Sequence, residues 1–306
     1  MNKVTKVLLI TAGSCIGLGV VLGTVGLVQA RANGFEAFKS KREKVITDVN
    51  DSFSSIDISE VSDEVEIRPS DDGNVTVICW DSERLYHKVE VKDDTLIVKF
   101  EDEQVWFDSF NFDFDGSDEK DYGTTIIYLP EGEYEDLNIN TTSGDVLIPD
   151  GYTFGDVDIN TVSGGVSDSA TSTGIVNVNT TSGCISDLNI NGISADINTV
   201  SGDISLNTCD VSGSIEVTTT SGEINLKDIS TAVAVISTVS GEVTLTNFES
   251  DITDIDTTSG DVTGTLIGSY NINTDTVSGD INITCDNLSD GNKFNVSTVS
   301  GDIELN

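Results

Sequence analysis

One four-residue motif, Thr-[Thr/Val]-Ser-Gly, occurs nine times between Thr141 and Gly301, in about half of the chain. It ends at Gly144, Gly164, Gly183, Gly202, Gly222, Gly241, Gly260, Gly279 and Gly301, so successive copies are 20, 19, 19, 20, 19, 19, 19 and 22 residues apart. Repetition at a nearly fixed period of this size is typical of a solenoid, in which each repeat forms one turn of a coil. The motif therefore restricts what this half of the chain can fold into.

Apolar and polar residues alternate on both sides of each motif, as in Val176-Asn177-Val178-Asn179 before one copy and Asp203-Ile204-Ser205-Leu206 after another. Alternation with β-branched residues is typical of half-buried strands. A third apolar position lies midway between motifs, at Ile229, Phe248 and Leu288. We therefore predict an all-β fold over 137–306, a parallel β-solenoid of about nine coils of 19–20 residues, roughly triangular in section.

Stacked coils would bring equivalent polar residues to about 4.8 Å from each other. Asn140, Asn160, Asn179 and Asn198 precede successive motifs and are expected to form a ladder of side-chain amides. The Thr and Ser residues of the motifs are expected to form parallel hydroxyl ladders. Each Ser-Gly step would turn a corner between two strands, and replacing Gly222 is expected to be damaging if that corner needs a positive φ.

An acidic residue follows the motif in the last six repeats: Asp203, Glu223, Glu242, Asp261, Asp280 and Asp302. In register, neighbouring carboxylates would repel each other. We consider two interpretations of this row of acids. The row is either a hydrated stripe without bound ions, or it associates weakly and non-stoichiometrically with calcium or magnesium.

The beginning of the chain predicts attachment to a membrane. Residues 7–30 are almost continuously apolar, which is long enough to cross a bilayer as a helix. We predict a retained anchor at 1–30, with a cleaved signal as the alternative, and a charged stalk at 31–50. The basic residues of the stalk argue for a cytoplasmic β domain, whereas a polar solenoid behind a short basic N-terminus is the usual plan of an exported protein. We predict that the β domain lies outside the cell.

Residues 51–136 show strand-like alternation without the motif, and both tryptophans, Trp80 and Trp106, lie there. This range is expected to form an irregular β cap that starts the solenoid, because an open solenoid end exposes unpaired strand edges.

The sequence predicts no catalytic residue and no cofactor or metal site. The only histidine, His87, is expected on the surface of a strand. Cys79, Cys184, Cys209 and Cys285 show no zinc spacing, and we expect no disulfide among them. Asn111-Phe112-Asp113-Phe114-Asp115-Gly116 begins like a calcium loop, but Tyr122 stands where the bidentate Glu belongs.

The charge of the chain excludes nucleic-acid binding and argues against one class of enzyme. With 53 acidic and 15 basic residues, the net charge of −38 excludes nucleic acid as a partner. Polysaccharide lyases need a basic residue at the substrate carboxylate, yet only Lys227 and Lys293 are basic after Lys120. We therefore predict that the protein is not an enzyme, with a carbohydrate-active β-helix enzyme as a minor alternative.

The runs Val65-Glu66-Ile67-Arg68-Pro69-Ser70-Asp71-Asp72, Leu96-Ile97-Val98-Lys99 and Ile126-Ile127-Tyr128-Leu129-Pro130, followed by the repeated motif, resemble the DUF4097 family of bacterial envelope proteins. The resemblance covers about residues 50–306 and implies an adhesin-like β-repeat protein, without catalytic residues to carry over. It suggests a rigid interaction surface for an envelope protein or glycan. The alternative is an envelope-stress regulator whose solenoid binds a membrane sensor or an envelope component.

Overall fold

The computed structural model describes residues 42–82, 85–102, 121–285 and 288–306. All regular structure in these ranges is β, and its 22 strands belong to one continuous sheet that coils into a solenoid. The predicted all-β parallel solenoid is confirmed. The predicted membrane segment, Trp106 and the loop at 111–116 lie outside the described residues. Within those residues, we find no helix with the length and hydropathy of a membrane span.

The irregular N-terminal section contains seven strands. They are β1 (Glu43–Val49), β2 (Ser55–Ser59), β3 (Glu64–Pro69), β4 (Val75–Asp81), β5 (Leu85–Lys92), β6 (Thr95–Asp102) and β7 (Thr124–Leu129). Pairs β2–β6 and β3–β7 are parallel and continue the solenoid. Antiparallel strands cover this end, because β5 pairs with β6, β4 with β7, and β1 with β4. Strand β1 falls within the range predicted as a stalk, so the sheet begins earlier than the sequence suggested.

The repeats form the regular coils, whose strands pair in parallel one coil apart. The strands are β8 (Gly132–Asn140), β9 (Val146–Ile148), β10 (Tyr152–Asn160), β11 (Val166–Asp168), β12 (Thr171–Ser172), β13 (Ile175–Asn179), β14 (Ile185–Asn198), β15 (Ile204–Thr218), β16 (Ile224–Ser237), β17 (Val243–Asp256) and β18 (Val262–Leu266). Ile204, Ile224, Val243 and Val262 stack in register and are fully buried. The apolar alternation thus places one branched side chain per coil at the same point of the core.

The last four strands do not stack in chain order. They are β19 (Tyr270–Ser278), β20 (Ile281–Ile283), β21 (Asn292–Ser300) and β22 (Ile303–Leu305). Strand β21 lies between β17 and β19, and β22 lies between β18 and β20. The same exchange occurs at the other end, where β2 lies between β6 and β8, and β3 between β7 and β9. The coil that comes last in space is therefore 270–285.

The predicted third apolar stripe is partly confirmed. Ile229 and Phe248 are buried, but Leu288 is 44% exposed because it follows the outermost coil. The thiols of Cys79, Cys184 and Cys209 form no disulfide. Cys79 and Cys209 pack in the core, whereas Cys184 is exposed at a corner.

Candidate functional site

The corner glycines are required by close stacking rather than by backbone conformation. A Cβ atom built on Gly222 would lie 1.8 Å from the carbonyl oxygen of Gly202, the equivalent corner one coil below. Positive φ among the described glycines occurs at Gly73, Gly123, Gly151 and Gly268, none of which is a corner. The expectation of a positive φ at Gly222 is therefore wrong, and the need for glycine has a different physical cause.

The first Thr of several motifs stabilises the corner through backbone groups, whereas the hydroxyls of Thr238, Thr257 and Thr298 are buried without a hydrogen-bond partner. The Oγ1 atom of Thr180 donates to the carbonyl oxygen of Gly164 at 3.1 Å and accepts from the amide of Gly183 at 3.1 Å. Thr199 and Thr219 donate to the preceding corner in the same way. These threonines are buried and bond to the backbone, so the predicted ladder of Thr hydroxyls is wrong.

The acids after the glycine are exposed, and several of them bond to the next coil. The Oδ1 atom of Asp203 accepts from the amide of Glu223 at 2.9 Å, and that of Asp261 accepts from the amide of Asp302 at 2.8 Å. Asp302 in turn accepts from the amide of Asp280 at 2.7 Å. The row is therefore continuous, with its last two members exchanged in space, and backbone amides offset part of the expected repulsion between carboxylates.

The second motif residue points outward and alternates between Thr and Val through the first eight motifs. Val162 and Val299 are each 50% exposed, and Val277 is 80% exposed. We call the second motif residues, the motif serines and the residues after the glycines the corner face. The predicted asparagine ladder lies beside it and is confirmed by three amide contacts, Asn160 to Asn140 at 3.4 Å and two further steps, Asn179 to Asn160 and Asn198 to Asn179, at 3.1 Å each.

The corner face offers a repetitive array rather than a convergent site. Methyl groups and hydroxyls recur at every motif along one edge of the solenoid, and carboxylates recur along the same edge in the last six repeats. Among the described residues, no group of three or more His, Cys, Asp or Glu side chains is arranged to hold a metal ion. This geometry suits many weak contacts with an extended partner and is unlike a pocket for one small molecule.

A second polar site was missed by sequence reasoning, and it surrounds His87. The His87 side chain is buried, with Nδ1 2.5 Å from Oδ1 of Asp81 and Nε2 2.5 Å from Oε1 of Glu60. The hydroxyl of Thr125 donates to the same Glu60 oxygen at 2.6 Å. The prediction of a surface histidine is therefore wrong. The alternation of β5 indicates that His87 faces the core, since it shares a face of the strand with Val89 and Val91, which both pack against the core.

The contacts of His87 favour its charged form. Burial alone lowers the pKa of an imidazole, but the interactions with Asp81, Cys79 and Glu60 outweigh it and raise the pKa of His87 to about 12. Because carboxylates occupy both ring nitrogens, the ring cannot take a proton from the Cys79 thiol, whose own pKa is raised by burial. A Cys–His nucleophile needs a free ring nitrogen, so this cluster does not have the form of a catalytic dyad. Its contacts instead join the cap to the solenoid.

A buried ion pair lies beside this cluster. The guanidinium of Arg42 binds both carboxylate oxygens of Asp63 and donates from Nε to the carbonyl oxygen of Trp80 at 2.8 Å. Planar two-point contacts of this kind are the strong form of an ion pair. They attach the start of β1 to the first coil.

Comparison with known proteins identifies the fold. The sequence model of the family described as Toastrack DUF4097 matches residues 53–218 and 212–306. The chain belongs to the Toastrack DUF4097 family. The resemblance seen in the sequence is confirmed, and it spans the solenoid and most of its cap. No curated protein matches this Toastrack chain.

Solved structures resemble the Toastrack chain at low sequence identity. A "putative lipid binding protein" from Parabacteroides distasonis is 18% identical, with 86% of this chain and 97% of that chain covered and a TM-score of 0.51. A "putative adhesin" from Bacteroides fragilis is 13% identical over 86% and 97% of the two chains, with a TM-score of 0.40. Another from Parabacteroides merdae is 14% identical over 87% and 96%, with a TM-score of 0.42. The first of these likenesses supports the fold of the Toastrack chain.

Proposed function

We propose that the chain is a single-pass membrane protein of the bacterial cell envelope whose solenoid lies outside the cell and serves as a rigid, acidic, adhesin-like interaction surface. The corner face is the observation that carries this proposal. Its groups are held in register by glycine stacking, by buried threonines and by carboxylate–amide bonds between coils. A surface ordered in this way loses little conformational entropy when a partner binds.

The partner is an envelope protein or glycan with repeating groups. Valine methyl groups supply apolar contact, while the serines and acids supply hydrogen-bond partners along the same edge. Many weak contacts on one rigid scaffold add up to strong attachment through effective concentration. The net charge of −38 disfavours nucleic acid and other strongly anionic partners, unless divalent cations bridge the two surfaces.

Two measurements test this function. The first is protease treatment of intact, wall-stripped cells, which should cleave the solenoid; complete protection would place it inside and contradict the proposal. The second is attachment of cells that display the chain to immobilised cell envelopes. Attachment should be lost with Glu223→Lys plus Glu242→Lys on the corner face.

A matched control separates the corner face from total charge. Glu216→Lys plus Glu249→Lys makes the same charge change at exposed positions in β15 and β17, away from the corners. These cells should attach like the wild type. Equal attachment by both double variants would contradict the role of the corner face. A sensor-dependent change in envelope-stress signalling, with normal attachment, would favour the regulatory alternative.

A further inference from the structure

The two ends of the solenoid core differ. At the N-terminal end, the outermost parallel strands are covered, and Val98 and Leu129 are fully buried beneath β4 and β5. At the other end, Ile281 stands in register with the buried Ile303 but is 46% exposed. The next inward-facing residue, Ile283, is also partly exposed, although its register partner Leu305 is buried. The last coil thus presents core positions to solvent.

The backbone at the same end has an open edge. Among the described residues, β19 pairs only with β21, and β20 only with β22. The amide of Leu288 donates to the carbonyl oxygen of Tyr270, so the turn at 288–291 closes the beginning of β19. From Asn273 to Ile283 the outer side of the edge has no neighbouring strand in the described structure. Natural edges are usually blunted by lysine, proline or a covering element, and residues 270–285 contain neither lysine nor proline.

The charge of the outermost coil determines which kind of strand can pair with this edge. Residues 266–306 contain six acidic residues and one lysine, and Asp275 and Asp280 of the outermost coil are exposed. A second copy docked edge to edge would oppose two surfaces of the same negative sign. Like charges across an interface are unfavourable, whereas a positively charged partner is attracted and oriented.

We propose that residues 273–283 form a docking edge for a basic, extended polypeptide segment of a partner protein, which adds as a further strand. Its backbone pairs with β19 and β20, its apolar side chains cover Ile281 and Ile283, and its lysine or arginine side chains lie near Asp275 and Asp280. Backbone pairing supplies affinity in this mode of recognition, and alternate side chains supply specificity. The proposal goes beyond the corner face, since it assigns a different surface and a different class of partner.

The test uses the full-length chain in detergent and a fluorescent octapeptide of alternating lysine and valine. The peptide should bind, and amide hydrogen exchange in 273–283 should slow when it does. The variant Ile281→Lys places a charge on the edge and should weaken binding about ten-fold or more. The control is Ile175→Lys, because Ile175 is 43% exposed within the regular coils and its strand is paired on both sides. This control should bind like the wild type.

Three results would overturn the proposal. One is equal binding of the octapeptide by the Ile281 and Ile175 variants. Another is equal binding of an octapeptide with glutamate in place of lysine. The third is self-association of the chain without peptide that Ile281→Lys abolishes, which would assign the edge to a second copy. Because purified protein is used, these outcomes do not depend on cellular location or on attachment through the corner face.

Discussion

The substitution Gly222→Ala tests whether close stacking of the corners holds the coils together. The new Cβ would lie 1.8 Å from the Gly202 oxygen, 2.5 Å from its carbonyl carbon and 3.1 Å from the amide nitrogen of Asp203. All three are backbone atoms, so no side-chain rotation can relieve the contact. The corner must instead move apart by more than an ångström.

That movement disrupts bonds that join the two coils at this corner. The Thr219 hydroxyl donates to the Gly202 oxygen at 3.2 Å, and the Ser221 amide donates to the Val200 oxygen at 3.1 Å. Overpacking costs about 1–3 kcal/mol, and each buried polar group left without its partner costs about 1–3 kcal/mol. We expect Gly222→Ala to lower the free energy of unfolding by about 3–5 kcal/mol.

Two other glycines serve as matched controls in the same urea titration. A Cβ on Gly165 would meet nothing closer than 3.5 Å, so Gly165→Ala should be neutral or stabilise by about 0.4–1 kcal/mol through the unfolded chain. Gly73 has a φ of +76° and open space, so Gly73→Ala should cost only the backbone penalty of about 1–2 kcal/mol. If Gly222→Ala costs no more than Gly73→Ala, the stacking argument is refuted.

Three further predictions follow from the core, the His87 cluster and the acid row. Ile204→Ala should lower the free energy of unfolding by about 2–5 kcal/mol through a cavity, while Ile175→Ala, at an exposed site, should change it little in the same titration. The folded-state pKa of His87 is raised to about 12, so its stabilising contribution is complete below the unfolded pKa near 6.5 and is lost as pH rises toward 12. The free energy of unfolding of the wild type should therefore fall between pH 7 and pH 10 more steeply than that of His87→Gln. Parallel profiles would contradict the raised pKa of His87. If the acid row associates with calcium, the melting temperature should be higher in millimolar calcium than in chelator at matched ionic strength. Changing Asp203, Glu242 and Asp302 to amides should remove the difference. Identical wild-type melting curves would show that the row is a hydrated stripe without bound ions.

The repeat geometry could be predicted from the sequence because each coil obeys one local rule. Period-two alternation fixes which residues face inward, and a constant repeat length fixes the register between coils. The buried Ile204 and the asparagine ladder follow from these two facts alone. The row of acids after the corner glycines was predictable for the same reason.

Features that depend on contacts between distant segments could not be predicted in this way. The exchanged order of β19–β22 cannot be deduced from the spacing of the motifs, because the longer interval of 22 residues between Gly279 and Gly301 indicates only a longer connection. The partners of His87 come from different strands and turns, so its position in the sequence gave no hint of Glu60. The reason why the corners need glycine could not be predicted either, since a bend in the backbone and a close approach between coils both favour glycine.

The exchanged order of strands at the two ends changes how the solenoid responds to pulling. In a coil stacked in chain order, tension on a terminal strand peels one ladder, a few bonds at a time. Here β22 is held between β18 and β20, and Asn306 is bonded to Gly264 through its amide and to Thr284 through its side chain. A force applied there must shear two ladders together, and β2 is held in the same way between β6 and β8. Pulling at Asn306 would therefore load both ladders of β22 before it reaches the outermost coil, 270–285.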